Sequence, residues 1–149
     1  MNNIAIIAAA GNGERLNCNK NKMLIKILDK PLLAYTLNQF EETTFVKGVI
    51  LVIREKDFQK IMDEIINKYN YKKIIKVIAG GATRQESIYC GLNAVPQRTE
   101  LVCIHDGARP FVKDWMIEKT FELASLYDGA IVAIPAFETI KQTFRDKQT

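Results

Sequence analysis

Ile4-Ala5-Ile6-Ile7-Ala8-Ala9 runs without a break into Ala10-Gly11-Asn12-Gly13-Glu14-Arg15-Leu16. A short apolar run that ends in a glycine-rich turn is the pattern of a strand buried on both faces, as inside a parallel sheet. Open α/β sheets bind their ligands beyond the carboxyl ends of the strands. Ala8 to Gly13 therefore stands where a ligand would be held. Gly11 and Gly13 let the backbone come close to a phosphate and turn its amide N–H groups inward. Arg15 adds a planar cationic fork suited to phosphate oxygens. The loop is not a Walker loop, because Gly-Lys-Ser/Thr is absent. It is not the dinucleotide fingerprint either, because Leu16 stands where glycine or alanine belongs. Phosphate binding is a better reading of it than an ordinary tight turn.

Working outward, four more runs read as strands: Gly48–Ile53, Ile74–Ile78, Leu101–His105 and Ala130–Ile134. Between them lie helical patterns over Pro31–Phe40, Asp57–Tyr69, Arg84–Ala94 and Trp115–Leu126. Strand and helix alternate throughout. That order predicts an α/β fold with a doubly wound, mostly parallel, Rossmann-like sheet and right-handed crossovers. No repeat, low-complexity segment or linker divides the 149 residues, which suffice for one domain with a substantial core. From Thr139 to Thr149 the chain turns polar and charged with no closing element.

The net charge of +4 is spread along the chain and forms no basic patch, so nucleic acid is not the expected partner and an anionic small molecule is. The longest apolar run, Ile4 to Ala10, is too short to span a bilayer and lacks the features of a signal peptide. Cys18, Cys90 and Cys103 show no metal-type spacing and read as free thiols of a reducing compartment. The expected location is cytoplasmic, with no membrane partner. His105 is the single histidine, which rules out a histidine-rich metal site.

Three further motifs carry possible chemistry. Lys22, in Lys20-Asn21-Lys22-Met23-Leu24, could reach the phosphates held near Arg15, although on spacing alone a solvated lysine pair is the better reading. Gly80-Gly81-Ala82-Thr83-Arg84-Gln85-Glu86-Ser87 follows a strand and opens a helix. Thr83 and Glu86 are explained by a capping box. The glycine pair and the hydroxyl of Ser87 are not, and they suit reading of a flat base edge. His105-Asp106-Gly107-Ala108-Arg109-Pro110 ends another strand. Asp106 there is placed to hold Mg²⁺ or a substrate hydroxyl. A local polar pair closing the strand is the plainer alternative. For Arg109, anion binding and a structural salt bridge stand level.

Taken together, Ala9-Ala10-Gly11-x-Gly13-x-Arg15-Leu16, then Lys22, then Gly80-Gly81-x-x-Arg84-x-x-Ser87-Ile88-x-x-Gly91-Leu92, then His105-Asp106-x-Ala108-Arg109-Pro110 resemble the 2-C-methyl-D-erythritol 4-phosphate cytidylyltransferases in order and spacing. The resemblance covers the whole chain. It implies a nucleotidyltransferase domain over residues 1–149 with a GT-A-like sheet. It implies transfer of CMP from CTP to methylerythritol phosphate, with Mg²⁺ and release of pyrophosphate, in non-mevalonate isoprenoid synthesis. Arg15 and Lys22 become the catalytic cations. The backbone of Ala8, Ala9, Ala10, Gly11 and Gly13 would hold ribose and phosphates, and Gly80, Ala82 and Ser87 would read cytosine. Asp106, with Gly107 beside it, and Thr139 would face the sugar-alcohol phosphate, Asp106 also serving the metal. Arg109 would reach a neighbouring subunit's site in a homodimer. Members of the family continue well past Thr149, so the chain is expected to lack the C-terminal part of the family domain and to be inactive as it stands. It departs from the family in having Asn21-Lys22-Met23 where many have Pro-Lys-Gln, Ala8 for a common proline and Ala82 for a frequent acidic residue.

Ribitol-5-phosphate cytidylyltransferases share the loop and the glycine pair and are the near alternative. A non-catalytic nucleotide-binding domain or dinucleotide binder is the alternative of another class. For a dinucleotide binder, however, the first acidic residue after strand two, Glu55, falls about forty positions beyond the glycine loop instead of about twenty. A plain α/β scaffold, its glycines serving turns alone, is the third.

Overall fold

A computed structural model describes residues 2–11 and 21–137. The elements in chain order are β1 (Ile4–Ala8), a 3-10 turn (Lys22–Leu24), β2 (Lys26–Ile27), β3 (Lys30–Pro31), α1 (Leu32–Glu42), β4 (Gly48–Ile53), a second 3-10 turn (Glu55–Asp57), α2 (Phe58–Ile61, continued by a π-turn over Met62–Asn67), β5 (Ile74–Ala79), α3 (Arg84–Asn93), β6 (Val102–Asp106) and α4 (Asp114–Leu126).

Four strands form one sheet in the order β5-β4-β1-β6, and every neighbouring pair is parallel. β1 lies between β4 and β6, with Ile6 opposite Ile50 on one side and Ile104 on the other. Its continuous apolar sequence follows from that place: Ile4 to Ile7 are all buried, on both faces. One face carries Ala5, Ile7, Leu51 and Ile53 against Leu33, Leu37 and Phe40 of α1, Ile61 and Ile65 of the α2 region, and Ile117 and Phe121 of α4. Phe40 is fully buried, and its removal from water is worth roughly 1.5–3 kcal/mol. The other face, Ile4, Ile6, Ile50 and Val52, is covered by α3. That helix comes close because Gly91 has no side chain; a Cβ there would stand 2.6 Å from Cγ2 of Ile6. Helices cover both faces, as the alternation of strand and helix predicted.

Two expectations change. Ala130–Ile134 is not a strand. Residues 129–137 pair with no described strand, and Ile131 and Ile134 are 87% and 89% exposed. A β-type composition makes a strand only where a neighbouring edge accepts its ladder. The predicted helix over Asp57–Tyr69 is present but widens into a π-turn, with the adjacent Ile65 and Ile66 both buried. The sequence reading also missed the β2–β3 hairpin, which turns through Leu28 (φ 47°) and Asp29 (φ 64°). Two successive positive φ values define a type I′ turn, which suits Asn-Gly far better than Leu-Asp.

His105 lies on β6 with its ring 5.0 Å from that of Phe40. Its Nδ1 is buried and has no hydrogen-bond partner. Burial lowers the imidazole pKa below the ordinary value of 6.5, and the nearby Asp106 carboxylate opposes this only in part.

Two predictions follow from these positions. Leu28 is 91% exposed, so Leu28→Asn loses no packing and relieves a left-handed backbone; urea unfolding is expected to show a gain of roughly 1 kcal/mol. The folded pKa of His105 is lowered, so protons bind preferentially to the unfolded chain. Its share of stability is complete above about pH 6.5 and is lost as pH falls through that value toward the lower folded pKa. The drop in unfolding free energy between pH 8 and pH 5 should therefore be smaller in His105→Asn than in the parent. An equal drop in the two proteins would show that His105 has no part in it.

Candidate active site

The sheet register decides where the site lies. Ala8, the last residue of β1, is opposite Val52 on β4 and Asp106 on β6. The ladder is extended past the strand ends by Ala9 N–H to the Val52 carbonyl (2.7 Å), Gly107 N–H to the Ala8 carbonyl (2.9 Å) and Gly80 N–H to the Ile53 carbonyl (2.8 Å). Four carboxyl ends are thereby locked side by side. The segments leaving them enclose a cleft of about 900 Å³.

Of the residues singled out from the sequence, Ala8, Ala10, Gly11, Lys22, Gly80, Ala82, Ser87, Asp106 and Arg109 line this cleft. Ala9 does not: its side chain is buried in the core and its N–H is engaged by Val52. Gly107 lies behind the cleft, where its carbonyl accepts a hydrogen bond from Thr36 Oγ1 at 2.8 Å. Gly13, Arg15 and Thr139 fall outside the described residues. Arg54, Glu55 and Arg84 line the cleft as well and were given no site role from the sequence. Arg54 and Glu55 directly follow the run Gly48–Ile53, and the rule that strand ends carry the ligand would have found them.

Lys22 is not in a loose polar loop. It starts a 3-10 turn whose N-cap, Asn21, accepts a hydrogen bond from Met23 N–H at 3.0 Å. Asn21 and Met23 are both buried, so the turn is anchored on two sides. Its ammonium projects from a fixed backbone.

At the start of α3 the capping box is present: Glu86 N–H donates to Thr83 Oγ1 at 3.1 Å, and Thr83 N–H donates to Glu86 Oε2 at 3.2 Å. The Ser87 hydroxyl donates back to the Thr83 carbonyl at 2.9 Å. With its proton held there, the oxygen is left as a hydrogen-bond acceptor.

Asp106 is gripped by two guanidinium groups. Arg84 Nη2 and Nε lie 3.0 and 3.2 Å from Oδ1, and Arg109 Nε lies 3.0 Å from Oδ2. Both of its oxygens are thereby paired with guanidinium groups that are themselves 63% and 76% exposed. Among the described residues no three His, Cys, Asp or Glu side chains converge. Mg²⁺ is commonly held by one or two carboxylates together with substrate phosphates, and Asp106 and Glu55 are the carboxylates lining this cleft. Arg109 is likewise turned onto its own chain's Asp106.

The family model for IspD, 2-C-methyl-D-erythritol 4-phosphate cytidylyltransferase, matches residues 3–148. The chain belongs to this family. It is 42% identical over 139 residues to the 2-C-methyl-D-erythritol 4-phosphate cytidylyltransferase of Clostridium acetobutylicum, covering 93% of this chain and 60% of that protein. It is 39% identical over 144 residues to the protein of the same name from Clostridium novyi, covering 97% and 62%. The crystal structure of the Francisella tularensis 2-C-methyl-D-erythritol 4-phosphate cytidylyltransferase superposes with a TM-score of 0.77 at 30% identity, covering 98% of this chain and 63% of that one. The chain thus spans about 60% of the length of the curated cytidylyltransferases it matches. Among the described residues no helix is long and apolar enough to cross a membrane.

One residue tests the shape of the cleft. A Cβ on Gly80 would lie 2.6 Å from both Ala10 Cβ and Ser87 Oγ. Gly80→Ala is expected to cost roughly 1–3 kcal/mol by overpacking, measured as a lower unfolding midpoint in urea. An unchanged midpoint would show that this wall yields freely.

Proposed function

We propose that the protein transfers CMP from CTP to 2-C-methyl-D-erythritol 4-phosphate with release of pyrophosphate, in non-mevalonate isoprenoid precursor synthesis. One observation carries this reading. Lys22, the Gly80–Ser87 turn and the Arg84–Asp106–Arg109 cluster meet in one cleft, in a chain that matches the cytidylyltransferase family over residues 3–148.

In this reaction a phosphate oxygen of the acceptor attacks the α-phosphorus of CTP in line. The new P–O bond forms as the bond to the bridging oxygen of the β-phosphate breaks, and that electron pair leaves with pyrophosphate. Charge builds on the non-bridging α-oxygens, and cations fixed beforehand lower the barrier. Lys22 takes that role, with Arg15 beside it by family resemblance. The backbone from Ala8 to Gly11, continuing to Gly13, holds ribose and phosphates. Gly80, Ala82 and Ser87 face the cytosine. The Ser87 oxygen, an acceptor here, suits the amino group at C4 of cytosine and is mismatched to the carbonyl of uracil. The Asp106 cluster carries two guanidinium groups on one carboxylate, a net positive edge for the acceptor phosphate, to which family resemblance also assigns Thr139. Any Mg²⁺ would be carried by the triphosphate oxygens together with the Asp106 carboxylate of the same cleft.

The proposal extends to a homodimer in the cytoplasm. The free thiols of Cys90 and Cys103 are in keeping with a reducing compartment.

Pyrophosphate release on the protein at full genomic length, with CTP or ATP and with 2-C-methyl-D-erythritol 4-phosphate or ribitol 5-phosphate, tests the reading. Release is expected with CTP and the first acceptor. No release, or equal release with ATP, overturns the proposal, and a preference for ribitol 5-phosphate moves the chain to that activity. In the same assay Ser87→Ala should lower the CTP-over-UTP ratio of kcat/KM by roughly tenfold through loss of one acceptor.

A further inference from the structure

Asp57 stands at the N-cap position of α2, yet its side chain makes no capping hydrogen bond. An aspartate at that position ordinarily accepts from the first turn of its own helix. Here the carboxylate is turned the other way. Its Oδ2 accepts from Asn21 Nδ2 at 2.8 Å and from Arg54 Nε at 2.5 Å. Asn21 is the residue that caps the Lys22 turn through Oδ1, and its carbonyl also accepts from Leu24 N–H at 3.0 Å. Arg54 leaves the end of β4 and lines the nucleotide cleft. One carboxylate oxygen therefore ties the Lys22 turn to the sheet.

We propose that Asp57 is a positioning residue for Lys22, acting through the Asn21 side chain to hold the 3-10 turn that carries the lysine against the end of β4. This rests on the reading of Lys22 as a cation for the transferring phosphorus. A lysine on a mobile loop reaches an anion only part of the time. On an anchored turn its Cα is already in place, and the side chain alone has to settle. The three links are all on this chain: carboxylate to amide, amide oxygen to Met23 N–H, and buried Met23 into the core. In Asn21-Lys22-Met23 a hydrogen-bonded cap therefore holds the turn.

A double-mutant cycle tests it on the protein at full genomic length, with pyrophosphate release as the readout. Asp57→Ala is expected to lower kcat by roughly 10- to 100-fold while KM for CTP stays within about threefold. Asp57→Asn, which keeps an oxygen acceptor for Asn21, should recover most of that loss. Asn21→Ala should reproduce it from the other side of the bond, and it serves if Asp57→Ala does not fold. In a Lys22→Ala background, Asp57→Ala should lower kcat no further. If Lys22→Ala is impaired and the two losses multiply, Asp57 does not act through Lys22 and the proposal falls alone. If Asp57→Ala keeps full kcat, the proposal also falls alone. If Lys22→Ala keeps full kcat, the reading of Lys22 falls and takes this one with it.

Discussion

The parallel ladder that holds β1 between β4 and β6 is the constraint on which the rest of the molecule depends. It buries Ile4 to Ile7 on both faces, with the register Ile6 opposite Ile50 and Ile104. The ladder also levels the strand ends. Because Ala8 is opposite both Val52 and Asp106, the segments that follow these strands leave the sheet at one height. Gly11, Arg54, Gly80 and Asp106 share one cleft for that reason, although they lie far apart in the chain.

The charges in the cleft are organised around carboxylates. Asp106 orients Arg84 and Arg109, and Asp57 orients Arg54. The Asp106 pairs are largely exposed and add little to stability, whereas the Arg54–Asp57 pair is mostly buried. The effect of these pairs is on geometry, since a guanidinium already held in place needs less ordering when an anion arrives. Lys22 is held differently, through the backbone of a capped and buried turn. Two means of fixing cations thus meet at one place, as stabilisation of negative charge on phosphate oxygens requires.

The opposite end of the chain shows the same dependence on neighbours. Ala130–Ile134 has the composition of the buried strands, but β6 is an edge and no described strand pairs with this segment. Its side chains stay exposed, and composition alone did not make a strand of it. The hairpin at Leu28 and Asp29 is the converse case, a turn formed without the residues its backbone favours, because Lys26–Ile27 and Lys30–Pro31 pair across it.

The four strands of the sheet and the helices between them were legible in the sequence because apolar runs alternate with helical patterns, unbroken in β1 and β4, which are buried on both faces, and still mostly apolar in the partly exposed edges β5 and β6. The capping box of Thr83 and Glu86 was legible because both partners lie within one helical turn. The residues at the strand ends were legible as cleft-lining positions from the order of strands and turns. What the sequence could not settle was decided by side chains meeting across long separations. The pairing of Asp106 with Arg84 spans 22 residues and joins the end of β6 to the start of α3. The bond from Asn21 to Asp57 spans 36 residues and turned an apparently solvated lysine loop into a fixed turn. The orientation of a polar side chain depends on which partner the fold brings within 3 Å of it, and spacing along the chain does not carry that information.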